Sequence, residues 1–445
     1  MFISYLGLTI FKQIKIDKFK IHYMLNKISI FLLSFLPISL ILGNFAVNLN
    51  IWLISLFLLY HCYKTKNWNW IKDDIFKLLI IFYFYLIINS AVLYYLDTTK
   101  YNNIDGLFRS LTFIKFVFLA YAFKLLVIEK NIFDNIFKFW CLIISIVILD
   151  IFFEKIFGYN VLGYSSVDHT RIVSFFKDET IVGALILCFG YIIATYFLSQ
   201  NLTLKSKIFF NIFLFIVPIC ILITGERSNF IKGSIIFFLI LFFINKTKML
   251  ITKTKTITAC IFILLLTLFL NQNIFFKQTA ALQRIINVKN PEKFIDRFKG
   301  IHYIFHYNIA LEIFKDFPIS GVGNKNFRVV ACNDRKYINK AFDFNNQRSY
   351  IGCSTHPHQI HFELLAEHGL IGYFFFFYIM FVFLKKNLIL FNSSNNIFVF
   401  TPAVYLLIFL IPLLPSGAIF STFNGTMFWI IFSIANLNLN KKYID

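Results

Sequence analysis

Of the 445 residues, 58% are hydrophobic and only 15% are charged, and the mean hydropathy is +0.72. A water-soluble chain of this length carries more charge, because it must clothe its core in polar surface, so the composition excludes an ordinary soluble domain. The formal charge of +21 does not mark a nucleic-acid partner either. The basic residues sit in short links between apolar runs and form no separate basic domain.

Residues 1–27 carry five lysines and no small-residue cleavage site after an apolar stretch, and they read as an uncleaved cytoplasmic tail. Apolar runs long enough to cross a bilayer then recur. They predict spans at 28–46, 49–63, 75–95, 107–127, 132–154, 179–199, 206–224, 229–245, 256–275, 368–386, 397–414 and 418–437. The expected fold is an all-α integral membrane protein of about twelve transmembrane helices, with lipids as its surroundings. With the N-terminus inside, Lys64, Lys66, Lys72, Lys205, Lys207, Lys385 and Lys386 fall in the cytoplasm. The outer links 44–50 and 414–418 hold no Lys or Arg, as the positive-inside rule requires. Both termini are then cytoplasmic. The chain divides into helices 1–9 (1–275), a large outer loop between helices 9 and 10 (276–367) and helices 10–12 (368–445).

A second long outer link covers 155–178. The loop at 276–367 far exceeds the usual connection between helices, which marks a functional segment. Within it Ile304, Phe305, Ile309, Ile313 and Phe314 recur at helical spacing. They predict an amphipathic helix over 301–317, ended by Pro318 and Gly321.

The eight arginines (Arg109, Arg171, Arg227, Arg284, Arg297, Arg328, Arg335 and Arg348) all fall on the outer side or at its edge, against the tendency that places the lysines. Arginine grips phosphate or carboxylate through a planar fork, so the group reads as binding an anion outside. Internal ion pairs of a folded loop are the other reading. Arg227, in the short turn Thr224-Gly225-Glu226-Arg227-Ser228, is costly at this depth unless paired or facing a wet cavity. Its plain alternative is a pair with Glu226. Arg171 and Glu179 flank the next helix edge, either to position a substrate or to anchor the loop.

Four histidines lie in Ser354-Thr355-His356-Pro357-His358-Gln359-Ile360-His361 and the following Glu363 to His368. A metal site is one reading. The spacing argues against it, since His356 and His358 straddle a proline and no H-x-x-x-H pair with a Glu base follows. No metal or other cofactor is expected. The better reading is a single general base, His358, because a neutral imidazole can take a proton from a hydroxyl. Pro357 fixes the adjacent backbone and Gln359 can orient a ring or a sugar. His356, His361 and His368 read as structural, with His356 in support. Cys332 and Cys353 are the only cysteines of the large loop, and an oxidising compartment pairs them. The other five lie in or beside spans and read as inert.

The stretches Phe314-Lys315-Asp316-Phe317-Pro318-Ile319-Ser320-Gly321-Val322-Gly323, His356-Pro357-His358 and Leu364-Leu365-Ala366-Glu367-His368-Gly369-Leu370-Ile371-Gly372 resemble motifs of the O-antigen ligase and polymerase family. That family's external loop carries F-x-D-x-P-x-x-G-x-G, HPHN and LAE-x-G-x-x-G. Arg171 to Glu179 and Thr224 to Arg227 are similar to its upstream R-x-S-x-F-x-x-E and S/T-x-x-R motifs. The resemblance covers 171–372 in order, with Gln359 in place of the usual Asn and Glu226 where Ser is common. It implies a GT-C-like architecture in the bacterial inner membrane, with a periplasmic active site. The implied reaction is metal-independent, inverting transfer of a glycan from undecaprenyl diphosphate to lipid A core or another glycan acceptor. In those terms His358 activates the acceptor hydroxyl, Arg227 binds the donor diphosphate, and Arg171 and Arg297 or Arg328 assist. A polymerase is the close alternative. A lipid-linked glycan flippase or exporter is the rival class, but a transporter places ionisable residues near the bilayer midplane, whereas this chain concentrates them outside.

Overall fold

The computed structural model describes residues 23–96, 104–127, 129–166, 171–177, 179–243, 302–334, 336–337 and 354–438, and all regular elements among them are helical. The first expected span divides into α1 (Tyr23–Ser34) and α2 (Leu36–Leu42), which meet at a 40° bend. Pro37 lies in the first turn of α2, where its missing N–H costs nothing and the helix can restart. Gly43, at φ 101°, separates α2 from α3 (Asn44–Thr65). The short second run is thus part of a 22-residue helix.

α4 (Asp74–Leu96), α5 (Ile104–Thr112), α6 (Ile114–Leu126) and α7 (Lys130–Phe157) follow. α7 outlasts its expected span and ends at left-handed Gly158, the usual glycine stop. Then come α8 (Val182–Leu198), α9 (Leu204–Ile223) and α10 (Arg227–Phe243). The predicted amphipathic helix is α11 (His302–Asp316), and a short α12 (Phe327–Asn333) comes after it. α13 (Ile360–Ser394), α14 (Ile397–Phe409) and α15 (Thr422–Asn438) complete the order.

Six of the described helices are long and apolar enough to cross a membrane, or seven if the bent α1–α2 pair is one span. The expected twelve are not reached among the described residues, and the run 256–275 lies outside them. One reason is that α8 and α14 are shorter apolar helices. α8 packs against α7, α9, α10, α14 and α15 and is buried along nearly its whole length, as an all-round apolar helix must be. α6 is held in the same way between α3 and α15. Outer helices instead turn Phe45, Leu149, Phe242 and Phe381 outward. Large exposed apolar faces of this kind suit lipid, not water. The fold is that of a multi-pass, all-helical membrane protein.

One joint sets the position of the site. α13 is broken at Gly369 (φ 60°, ψ −161°), a backbone region that only glycine occupies readily. The break presents the carbonyls of Ala366 and Glu367 to the N–H groups of Val322 and Gly323, at 2.9 and 2.8 Å. In return, Leu370 N–H donates to Pro318 O at 2.8 Å and Ile371 N–H to Ile319 O at 3.3 Å. A Cβ on Gly369 would lie 2.3 Å from Ile319 O, and one on Gly321 would lie 2.3 Å from the Glu367 carbonyl carbon. The P-x-x-G-x-G and A-E-x-G segments, far apart in sequence, are therefore two halves of one docking surface. It locks α11 and the loop after it against the N-terminal end of α13.

Candidate active site

The segment before α13 is held from several sides. Gln359 caps the helix, its Oε1 accepting from His361 N–H at 2.6 Å and Phe362 N–H at 3.3 Å. Its amide group donates to Ile411 O at 3.2 Å. The side chain is fully buried, so in this structure Gln359 anchors the helix start. His361 is likewise occupied: Nε2 meets Leu410 O at 2.8 Å and Nδ1 meets the Tyr373 hydroxyl at 2.9 Å. A carbonyl accepts only, so Nε2 carries the proton.

His358 is different. Its φ of 59° places a non-glycine residue in the left-handed region, which the chain keeps only where its surroundings enforce it. Part of that enforcement is a 2.7 Å hydrogen bond from Ser416 N–H to His358 O. The ring is half-buried, with Nε2 3.0 Å from Ser354 Oγ. Around it stand the rings of His356 at 4.1 Å, His306 at 5.2 Å and Tyr303 at 5.4 Å between centroids. Burial, with the neighbouring His358, Lys325 and His306, pushes His356 down to about 2, so that ring is neutral at any working pH. Among the described residues no group of three or more His, Cys, Asp or Glu is arranged to hold a metal ion.

The second half lies at the start of α10. Arg227 is its first residue and is exposed. Glu226 accepts from Gly183 N–H at the start of α8 and, at 2.6 Å, from Asn229 Nδ2. A Cβ on Gly183 would lie 2.7 Å from both Glu226 Oε1 and Thr224 Oγ1, so only glycine allows this approach. Ile172 N–H donates to Thr224 O at 3.3 Å, which lays the Arg171 segment along the same turn. Arg171 is exposed and donates to Thr180 Oγ1 at 3.1 Å. The Glu226 carboxyl is crowded by protein although the residue keeps some solvent contact. That crowding pushes it up to about 7, against the pull of its hydrogen bonds and of Arg171. Glu179 is exposed, and its backbone turns the chain into α8.

One peptide unit joins the two halves. Ser228 Oγ donates to Pro415 O at 2.5 Å and Lys232 Nζ to the same oxygen at 2.6 Å. The N–H of that peptide, on Ser416, is the donor to His358 O, and Ser416 Oγ also accepts from Ile360 N–H at 3.0 Å. Since a peptide is rigid and planar, the turn carrying Arg227 and the loop carrying His358 are fixed against opposite ends of one small plate. Sequence reading missed Ser228, Lys232, Pro415 and Ser416. Their only signal was polar residues at the ends of apolar runs.

The other expected site residues are dispersed. Arg328, on α12, is half-exposed and lies 3.8 Å from Asp105 Oδ2, the kind of contact that an exposed pair makes weakly. Arg297 lies outside the described residues. Cys332 is disulfide-bonded, and Cys62, Cys141, Cys188 and Cys220 are free. Cys353 lies outside the described residues. Below the site, Glu363 is fully buried, accepting from Ile419 N–H at 3.2 Å and lying 3.5 Å from Lys325 Nζ.

In this all-helical, multi-pass membrane protein the turn carrying Arg227 and the loop carrying His358 thus meet at one peptide. Residues 212–377, from α9 to the middle of α13, match the sequence model of the O-antigen ligase family. Members of that family are glycosyltransferase-like enzymes acting on lipid-linked glycan and acceptor substrates. No curated protein matches the chain.

Proposed function

We propose that this protein transfers a glycan from undecaprenyl diphosphate to an acceptor hydroxyl, of the lipid A core oligosaccharide in the first instance, on the periplasmic face of the bacterial inner membrane. The observation that carries this reading is the peptide of Pro415 and Ser416, which ties the Arg227 turn to His358. A glycan transferase needs a base for the acceptor and cations for the leaving diphosphate within one site. In this mechanism His358, neutral, accepts the acceptor's proton as its oxygen attacks the anomeric carbon from the face opposite the diphosphate. The bond to the diphosphate breaks, and the configuration inverts. Arg227, assisted by Arg171 and by Arg297 or Arg328, stabilises the negative charge that grows on the leaving group; preorganised cations of this kind require no metal. A Cys332–Cys353 disulfide closes the loop leading to His358. Extension of a growing glycan by a polymerase uses the same chemistry with a different acceptor.

The test is a single-turnover assay with purified protein, lipid-linked glycan and lipid A core. Transfer to the core supports a ligase. Products that lengthen only the lipid-linked glycan make it a polymerase, and no covalent product with either acceptor contradicts the enzyme reading.

A further inference from the structure

Lys232 is 4% exposed and lies in the second turn of an apolar helix, where an ammonium group is expensive unless something there requires it. Among the described residues no carboxylate lies within ion-pair distance of it. Its hydrogen bond is to Pro415 O at 2.6 Å, and its Nζ sits 5.5 Å from the centre of the Phe409 ring. One turn earlier on the same helix face, Ser228 Oγ donates to the same carbonyl. A single backbone oxygen thus takes two side-chain donors, a hydroxyl and an amine. The same peptide's N–H holds the carbonyl of His358, whose φ is positive.

We infer that Lys232 is a positioning residue for His358, acting through the Pro415–Ser416 peptide. The Nζ donor draws electron density toward Pro415 O and makes Ser416 N–H a stronger donor, as hydrogen bonds in a chain polarise one another. That donor fixes His358 O and, with it, the left-handed backbone that aims the ring. Lys232 and Ser228 face this peptide, whereas Arg227, five residues before Lys232, points about 140° away around the helix. Lys232 therefore acts on the base and not on the bound diphosphate. This role rests on the transferase reading above, but part of its test does not.

Lys232→Met keeps the apolar stem and removes the donor. Amide exchange at Ser416 in detergent-purified protein should rise about 10- to 100-fold, the loss expected of one charge-assisted hydrogen bond, while exchange within α8 and α15 stays as in wild type. This measurement requires no activity, so it separates failure of the anchor from failure of the proposed reaction. In the transfer assay, kcat should fall about 10- to 100-fold with the donor KM unchanged. Lys232→Arg, which retains a donor and the charge, should recover part of kcat. Ser228→Ala should give a smaller loss, and the double variant should lose less than the two effects combined, because both donors serve one oxygen. Unchanged exchange at Ser416 would overturn the anchor. A rise in donor KM with kcat intact would overturn the positioning role and move Lys232 to the donor site. If Lys232→Met does not fold, Ser228→Ala read by the same exchange measurement decides the question.

Discussion

Gly369→Ala should be among the most damaging single-methyl additions in this chain. Its φ of 60° and ψ of −161° lie where alanine is strained, at about 1–3 kcal/mol. The new methyl would also meet the backbone of Ile319 at 2.3–2.4 Å, and a backbone cannot swing aside as a side-chain tip can. Relieving that clash separates the two segments. Losing even two of their four hydrogen bonds, at about 1 kcal/mol each, brings the total to about 3–5 kcal/mol. Gly158→Ala is the control: it too has a positive φ, of 82°, but its Cβ would meet nothing within 4 Å. Its cost is the left-handed strain alone, about 1–2 kcal/mol. Thermal midpoints in detergent, measured side by side, should fall markedly further for Gly369→Ala. Amide exchange should accelerate at Val322 and Gly323, which lose their acceptors. Equal midpoints, with Val322 and Gly323 still protected, would refute the joint.

Arg227→Lys should lose nearly as much transfer as Arg227→Ala at equal expression, because a point charge does not replace a two-pronged grip on phosphate; recovery by lysine would mean that charge alone suffices. Glu226 has its folded pKa raised to about 7, so its contribution to stability is full below about pH 4.3 and is lost as pH rises through about 7. Glu226→Gln should therefore flatten the fall in thermal midpoint between pH 5 and 8, and an unchanged slope would contradict the crowded-carboxyl reading. Mass spectrometry of unreduced peptides should find Cys332 linked to Cys353, and a Cys332 peptide linked elsewhere would refute that pairing.

The sequence revealed the class because lipid demands long apolar runs, and α11 because its apolar residues keep helical spacing. Helix bounds depart from the expected runs where helices bend or are hidden inside the bundle. Pro37 and Gly43 break a run that hydropathy joins, and α8 is apolar because protein surrounds it on all sides. The motifs were legible as motifs, yet their physical reasons were not. That Gly183 makes room for Glu226, or that Gly369 frees carbonyls for Val322 and Gly323, depends on distances between segments far apart in sequence. The role of Gln359 shows the same limit. Beside two histidines it read as able to orient a ring or a sugar, and the structure shows its buried amide capping α13. The Pro415–Ser416 peptide was invisible for a simpler reason: it works through backbone atoms, which every residue has.

In the proposed reaction His358 is the base and acts without a metal. The direct measurement is glycan transfer and lipid-linked donor binding, followed separately for wild type, His358→Ala and His356→Ala, with and without EDTA. His358→Ala should abolish transfer but still bind donor, His356→Ala should be milder, and EDTA should have no effect. Transfer that survives in His358→Ala, or that EDTA removes from wild type, would contradict that proposal.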